Sequence, residues 1–231
     1  MHARGMSISK LLLSACVLSL AACNEYYTPS STSLPMTDGP SGAARGSSRA
    51  RPTVRFPARV AVARIEKHYS GFVLDSGGNS EDPAHAAKAA ALPGVKALVP
   101  MNRVALTTSV NSYDQLDREA LKLGADLLAV YRFETETSHN DALFPITIAT
   151  LGIAPSVGYK TTSVATLIVR DARTGYIYGV MEERATSKGV SPGMMLDTTE
   201  NDAKRTTRKK AMDQLMDRLP GFWNGVVAKG R

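Results

Sequence analysis

Residues 112–134 read SYDQLDREALKLGADLLAVYRFE, and this stretch decides the fold class. Its first half has the signals of an amphipathic helix. Ser112 followed by Gln115 is a capping-box pattern, in which side chains bind the free backbone N–H groups at a helix start. Gly124 is the residue type that ends helices in the left-handed conformation. One stripe at helical spacing is apolar: Tyr113, Leu116, Ala120 and Leu123.

The second half of the stretch, residues 125–134, predicts a buried strand. It begins apolar on both faces and then alternates between apolar and polar residues. The side predicted to be buried carries Leu127, Ala129, Tyr131 and Phe133. A helix with one apolar stripe that leads directly into such a strand indicates a helix packed on a sheet.

Further strands are predicted on both sides of this unit. They are residues 59–66, 95–99, 164–170 and 176–183. Pro100 makes the second of them an edge strand, because proline cannot donate to a neighbour. The last two form a hairpin with Gly175 at a position of positive φ. Asp82 followed by Pro83 predicts the start of a short alanine-rich helix.

A long polar helix is predicted over residues 197–219, with a narrow apolar face. Pro220 and Gly221 are expected to break it, and Phe222 and Trp223 are expected to fold back onto the sheet. The order of elements indicates an α/β fold, more closely an α+β sandwich. It has one mixed sheet of about five strands with helices packed on it.

The first 22 residues are typical of a bacterial lipoprotein signal peptide. Arg4 and Lys10 precede an apolar run over residues 11–20, which is too short to span a bilayer. The sequence LAAC at residues 20–23 is similar to a lipobox, in which Cys23 takes a diacylglyceryl group and an acyl chain such as palmitate. The alternative is an ordinary cleaved secretory signal with a cysteine nearby by chance.

Residues 23–55 are expected to be the lipidated cysteine and a disordered tether, because they are rich in Ser, Pro, Gly, Thr and Ala. Residues 56–231 are then one periplasmic α/β domain. Loss of Cys16 with the signal and acylation of Cys23 leave the mature chain without a thiol. The net charge of +7 is compatible with anionic surfaces, but export argues against nucleic acid as the partner.

Two patterns carry a resemblance to known families. One is the capped helix and strand of residues 112–134, with LGAD at 123–126, and the other is the hairpin TLIVRDARTG at 166–175 followed by YIYG. Together they resemble the α/β domains of the Tol translocation β-propeller protein, of lipoprotein activators of penicillin-binding proteins and of the curli secretion lipoprotein. This resemblance, over about residues 59–219, implies an envelope location and protein binding, with no shared active site.

The sequence offers no recognisable catalytic or metal motif. His68, His85 and His139 have no second ligand at metal spacing, and no nucleophile elbow or phosphate-binding loop occurs. Glu134 and Glu136 share one strand face, which is more typical of a solvated strand end than of paired catalytic carboxylates. We therefore expect no enzyme, no cofactor and no metal.

Two surfaces are candidates for interaction. The first is a cationic stripe on the last helix, expected opposite its apolar face and formed by Lys204, Arg205, Arg208 and Lys209. It is either a solvated outer face or a contact for an acidic partner, lipid or glycan. The second is the uncharged segment 142–155, which carries Phe144, Ile146, Ile148 and Leu151. It is either packed under the helices or exposed for self-association or membrane contact.

The preferred hypothesis is a non-enzymatic envelope lipoprotein, anchored to the membrane through Cys23, whose α/β domain binds another, unidentified envelope protein. Asn24 after the cysteine, where aspartate favours inner-membrane retention in enteric bacteria, indicates the periplasmic face of the outer membrane. The alternative is a homo-oligomeric secretion or pore component that uses segment 142–155. A degenerate hydrolase is the third possibility.

Overall fold

The computed structural model describes residues 51–68, 71–74, 82–101, 112–140, 156–192 and 195–230, which form six strands and three helices. In chain order these are β1 (Ala58–His68), β2 (Gly71–Leu74), α1 (Pro83–Ala90), β3 (Val95–Pro100), α2 (Tyr113–Lys122), β4 (Leu127–Asn140), β5 (Ser156–Asp171), β6 (Ile177–Pro192) and α3 (Leu196–Lys229).

The strands form one mixed sheet in the order β2-β1-β4-β5-β6, with β3 also paired to β1. Strand β1 is parallel to β3 and β4 and antiparallel to β2, whereas β5 is antiparallel to both β4 and β6. The predicted α+β class is therefore confirmed. The sheet has six strands instead of about five, because β2 is four residues long and too short to show an alternating pattern.

The helices pack on both faces of this sheet. Helices α1 and α3 cover the face that carries Val60, Ala129 and Val169. Helix α2 covers the opposite face, where Leu116 packs with Leu128. Two apolar clusters therefore form, one on each face of the sheet. Because side chains along β1 and β4 alternate between the faces, successive residues of these strands belong to different clusters.

The local signals for helix ends and turns are confirmed. The Ser112 hydroxyl accepts a hydrogen bond from the backbone N–H of Gln115 at 3.3 Å, and the Asp82 carboxylate accepts one from that of Ala84 at 3.0 Å. Gly124 ends α2 with φ +69°, and Gly175 has φ +70° in the hairpin turn. These contacts are local, so residue type alone specifies them.

The hairpin strands are longer than predicted. Strands β5 and β6 have 16 residues each, whereas the apolar pattern covers only half of that length. The additional part is polar and is stabilised by hydroxyl pairs across neighbouring strands. These are Thr137 with Thr161 at 3.1 Å and Thr162 with Thr186 at 3.2 Å. A search for apolar alternation does not detect such a ladder.

The predicted end of the last helix is wrong. Helix α3 continues through Pro220 to Lys229, with the proline and Gly221 on its exposed side. Trp223 and Val226 are buried in the same apolar cluster as Leu219. Burial on both sides of the proline offsets its lost backbone hydrogen bond, so Trp223 reaches the sheet as part of the helix.

The predicted boundary between tether and domain is also wrong. Residues 51–55, assigned to the tether from their composition, pack on the domain. Val54 is buried, and the backbone N–H and hydroxyl of Thr53 both donate to the Asp171 carboxylate at 2.8 Å. The Thr174 hydroxyl donates to the Arg51 carbonyl at 3.0 Å. The folded domain therefore includes residues 51–55.

Candidate functional site

A groove of about 1350 Å³ lies between α3, the α1–β3 segment and the sheet. We call it the α1–α3 groove. Its floor is formed by side chains of β1, β4 and β5, including Val62, Tyr131 and Leu167. Its walls include Met212 on α3 and Leu98 on β3. The lining is mainly apolar, which is the usual character of a ligand or peptide site.

The groove exists because α1 is too small to fill the space above the sheet. Its sequence PAHAAKAA offers mostly methyl groups, and none of its residues is fully buried. Helices α1 and α3 are instead joined at the surface by two polar contacts. The Lys88 ammonium lies 2.8 Å from Asp217, and the His85 imidazole lies 2.8 Å from Asp213.

Trp223 on α3 also lines the groove. Its indole N–H donates to the Pro93 carbonyl at 2.9 Å, and its ring meets Phe56 edge to face at 6.2 Å between centroids. The hydrogen bond connects α3 to the loop between α1 and β3, beside the groove.

The four cations predicted as a stripe lie at the rim of the groove. They are Lys204, Arg205, Arg208 and Lys209. The expectation that they lie opposite the apolar face is wrong. The buried residues of α3 recur every four positions, from Ala203 through Ala211 to Trp223. Because four residues slightly exceed one helical turn, the buried stripe winds gradually around the helix. Solvent-accessible residues therefore lie beside the stripe as well as opposite it.

Three of these cations have carboxylate partners. Lys204 lies 3.4 Å from Glu200, Arg205 lies 3.0 Å from Asp202, and Lys209 lies 3.2 Å from Asp213, with Asp82 at 3.8 Å. The hydrogen bond from His139, together with Lys204, holds the pKa of Glu200 below its usual value. The Lys88 ammonium likewise lowers the pKa of Asp217. These carboxylates are ionised at neutral pH and offset the neighbouring cations.

Arg208 differs from its neighbours. Its Nε donates to the Thr135 hydroxyl at 3.0 Å, and within the described ranges no carboxylate lies at ion-pair distance from its guanidinium. Across the groove Arg64 lies over the ring of Phe133, 5.4 Å from its centroid, and binds Glu66 at 2.9 Å. Arg208 is therefore the rim cation best placed to bind an anionic group of a partner.

The described residues contain no cluster of three or more side chains suited to hold a metal ion. His85 and His139 each contact a carboxylate, Asp213 and Glu200 respectively. Glu134 lies 3.1 Å from Arg132, an ion pair on one strand. No helix within the part of the chain that the structure covers is both long and apolar enough to cross a membrane.

Several predicted sites lie outside the described residues. Cys23 and the signal peptide are among them, as is segment 142–155 with Phe144, Ile146, Ile148 and Leu151. The groove itself was not predicted. Its signal in the sequence is the run of alanines in α1, which is compatible with a helix but too small to cover an apolar sheet.

Comparisons with known proteins do not assign the chain to a family. No family model matches the chain, and no curated protein matches it. Among solved structures, a lipoprotein from Neisseria meningitidis is 14% identical, with a TM-score of 0.33, over 63% of this chain and 97% of its own. A hypothetical protein from Chlamydia trachomatis is 14% identical, with a TM-score of 0.30, over 74% and 98%. A Xanthomonas campestris protein of family DUF330 is 10% identical, with a TM-score of 0.27, over 79% and 91%. At these sequence identities and TM-scores, the similarities assign no function to the chain.

Proposed function

We propose that this protein is a lipid-anchored protein of the outer membrane whose domain faces the periplasm, and that it acts by binding another envelope protein and not by catalysis. The anchor is supported by the positively charged residues Arg4 and Lys10, the short apolar run after them and the LAAC sequence that ends in Cys23. The outer-membrane location is supported by Asn24 at the next position. The binding role is supported by the α1–α3 groove.

The groove favours a protein segment over a small ligand. Pockets for small molecules have volumes of about 300–1,000 Å³, and this groove has about 1350 Å³. An amphipathic helix that places an apolar face in a groove inserts side chains at positions i, i+3, i+4 and i+7. The apolar lining, which includes the partly buried Met212 and Leu98, is suited to such side chains.

The rim defines the chemistry of the partner. Lys204, Arg205 and Lys209 already have carboxylates, whereas Arg208 has only the Thr135 hydroxyl among the described residues. A carboxylate beside the apolar face of the partner helix would form a charge-assisted bond with Arg208. The partner proposed is therefore an envelope protein with an apolar helix flanked by Asp or Glu.

Site-specific photo-cross-linking in intact cells tests this proposal. A benzoylphenylalanine at position 212 lies in the groove, whereas the same probe at Gln214 lies on the exposed side of the same helix. We expect position 212 to give one discrete protein adduct that is absent at position 214. Adducts with lipid alone, or equal adducts at both positions, would show that the groove does not bind a protein partner.

A further inference from the structure

Strand β6 forms an edge of the sheet, and β5 is its one neighbour among the described residues. The β5–β6 pairing is regular from Gly179 to Pro192, without a bulge. The outer side of β6 therefore presents a long straight row of backbone N–H and C=O groups. Natural edge strands usually avoid this arrangement by being short or bulged, or by carrying proline, because such a row can pair with another strand.

The same strand carries exposed apolar side chains. Five large apolar residues in the described part of the chain are exposed, and three of them lie on β6: Ile177 at 38%, Val180 at 40% and Val190 at 58%. Val180 and Val190 lie on the sheet face opposite α3, whereas Ala185 on the α3 side is buried. Helix α3 covers one face of β6 and leaves both its edge and its other face accessible.

From this edge we infer that β6 pairs antiparallel with β6 of a second copy of the chain, about a twofold axis at Ala185, and joins two sheets into one. In this register Val180 lies opposite Val190 of the second copy, and Glu182 lies opposite Lys188 of the second copy. The symmetry generates each contact twice. The sequence of the edge is thus complementary to itself, with two apolar pairs and two ion pairs.

Neighbouring registers are less favourable. An axis at Arg184 places this guanidinium against its own copy, and an axis at Thr186 places Arg184 against Lys188. Like charges directly opposite each other on antiparallel strands are destabilising. An axis at Glu183 sets that carboxylate against its own copy and leaves Val190 without a strand partner. The axis at Ala185 avoids all of these conflicts.

The ends of the pairing are also defined. The Tyr178 carbonyl already accepts a hydrogen bond from the Lys229 ammonium at 2.6 Å, and Pro192 has no N–H to donate. The new ladder therefore extends from Val180 to Val190. It involves different residues from the α1–α3 groove, so it does not depend on the proposed function.

Disulfide cross-linking in membranes of cells that produce the full chain tests the register. Opposite residues on antiparallel strands have Cα atoms about 4.5–5.5 Å apart, within the range for a disulfide. The double variant Val180→Cys/Val190→Cys should give a covalent dimer on oxidation with copper phenanthroline. In the proposed register the two Val180 positions lie about 33 Å apart, so neither single variant should cross-link, and nor should the wild type. An unlinked double variant, or a cross-linked single variant, would overturn the proposal.

A charge exchange gives an independent readout on the detergent-solubilised full chain. Glu182→Lys places two like-charge pairs in the interface and should weaken dimerisation by about tenfold. Lys188→Glu should do the same. The double variant Glu182→Lys/Lys188→Glu restores both pairs, and its dimerisation in sedimentation should match that of the wild type. A monomeric wild type, or a double variant as weak as the single variants, would contradict the interface.

Discussion

Asp117 on α2 and Arg170 on β5 form an ion pair between the helix and the sheet, with 2.7 Å between Oδ2 and Nη2, and each side chain is only 9% exposed. The Arg170 guanidinium also lies over the Tyr113 ring, 4.7 Å from its centroid. The second carboxylate oxygen of Asp117 is buried without a hydrogen bond to the described residues. The pair fixes the position of α2, but at the cost of burying a carboxylate.

The stability of the domain should depend on pH through Asp117. Burial raises the pKa of Asp117 from 3.8 to about 6, against the opposing effect of Arg170. Between these pH values the folded chain binds more protons than the unfolded chain, so the free energy of unfolding falls as pH rises from about 4 to 6. At about 1.4 kcal/mol for each pKa unit, the loss is at most about 3 kcal/mol.

Chemical denaturation at several pH values measures this loss. The variant Asp117→Asn cannot titrate, so its stability should lack the fall between pH 4 and 6, whatever its absolute value. Asp114→Asn removes the exposed carboxylate 3.8 Å from the same guanidinium. Because Asp114 is a minor cause of the raised pKa of Asp117, this comparison variant should keep most of the fall. An Asp117→Asn variant with the same pH profile as the wild type would assign the effect to another group.

Two glycines should respond to alanine in opposite directions. Gly124 has φ +69°, and a Cβ there would meet only the Arg59 side chain at 3.5 Å or more, so the cost of Gly124→Ala is backbone strain of about 1–2 kcal/mol. Gly221 lies inside α3 with nothing within 4 Å of an added Cβ. There alanine should stabilise by up to about 1 kcal/mol. Thermal melting compares them, and a destabilised Gly221→Ala would argue that the helix ends at Pro220.

Removal of residues 51–55 should weaken the domain. A shortened chain that begins at Phe56 loses the buried Val54 side chain and the two hydrogen bonds from Thr53 to Asp171. Together these losses should lower the free energy of unfolding by about 2–4 kcal/mol relative to a chain that begins at Arg51. Equal denaturation midpoints for the two chains would place the boundary at Phe56 after all.

Lipidation is tested at Cys23. Cys23→Ser removes the proposed acyl acceptor, so the precursor should remain uncleaved, whereas the wild type should carry a diacylglyceryl cysteine by mass spectrometry. Cys16→Ser is the control and should not change processing. Density-gradient fractionation should place the mature protein with outer-membrane markers. A wild type with an unmodified cysteine, or one found with inner-membrane markers, would refute the corresponding part of the proposal.

Sequence reasoning was accurate where the cause is local. The Ser112 cap, the left-handed Gly124 and the hairpin turn at Gly175 each depend on a few adjacent residues, and all three are present. The fold class followed from the order of these elements. The buried partner of Asp117 was not foreseen, because Arg170 lies 53 residues further along the chain and polar side chains give no periodic signal.

The errors have tertiary causes. Pro220 does not end α3, since Trp223 and Val226 gain burial beyond it. Residues 51–55 are poor in large apolar side chains, yet the hydrogen bonds to Asp171 hold them on the domain. The size of the groove depends on the distance between α1 and α3. The alanines of α1 indicate only that this helix cannot fill the space.

Binding of an acidic partner segment is tested by the effect of charge reversal at Arg208 on the protein cross-link formed from position 212. Arg208→Glu removes the rim cation that lacks a carboxylate partner among the described residues, and it should reduce the cross-link by about fivefold or more. Loss of the hydrogen bond to Thr135 should lower the melting temperature only slightly. Arg205→Glu is the matched control, because Arg205 is 81% exposed and paired with Asp202. We predict that it retains most of the cross-link. Equal loss in the two variants, or no loss in either, would contradict binding of an acidic partner segment in the α1–α3 groove.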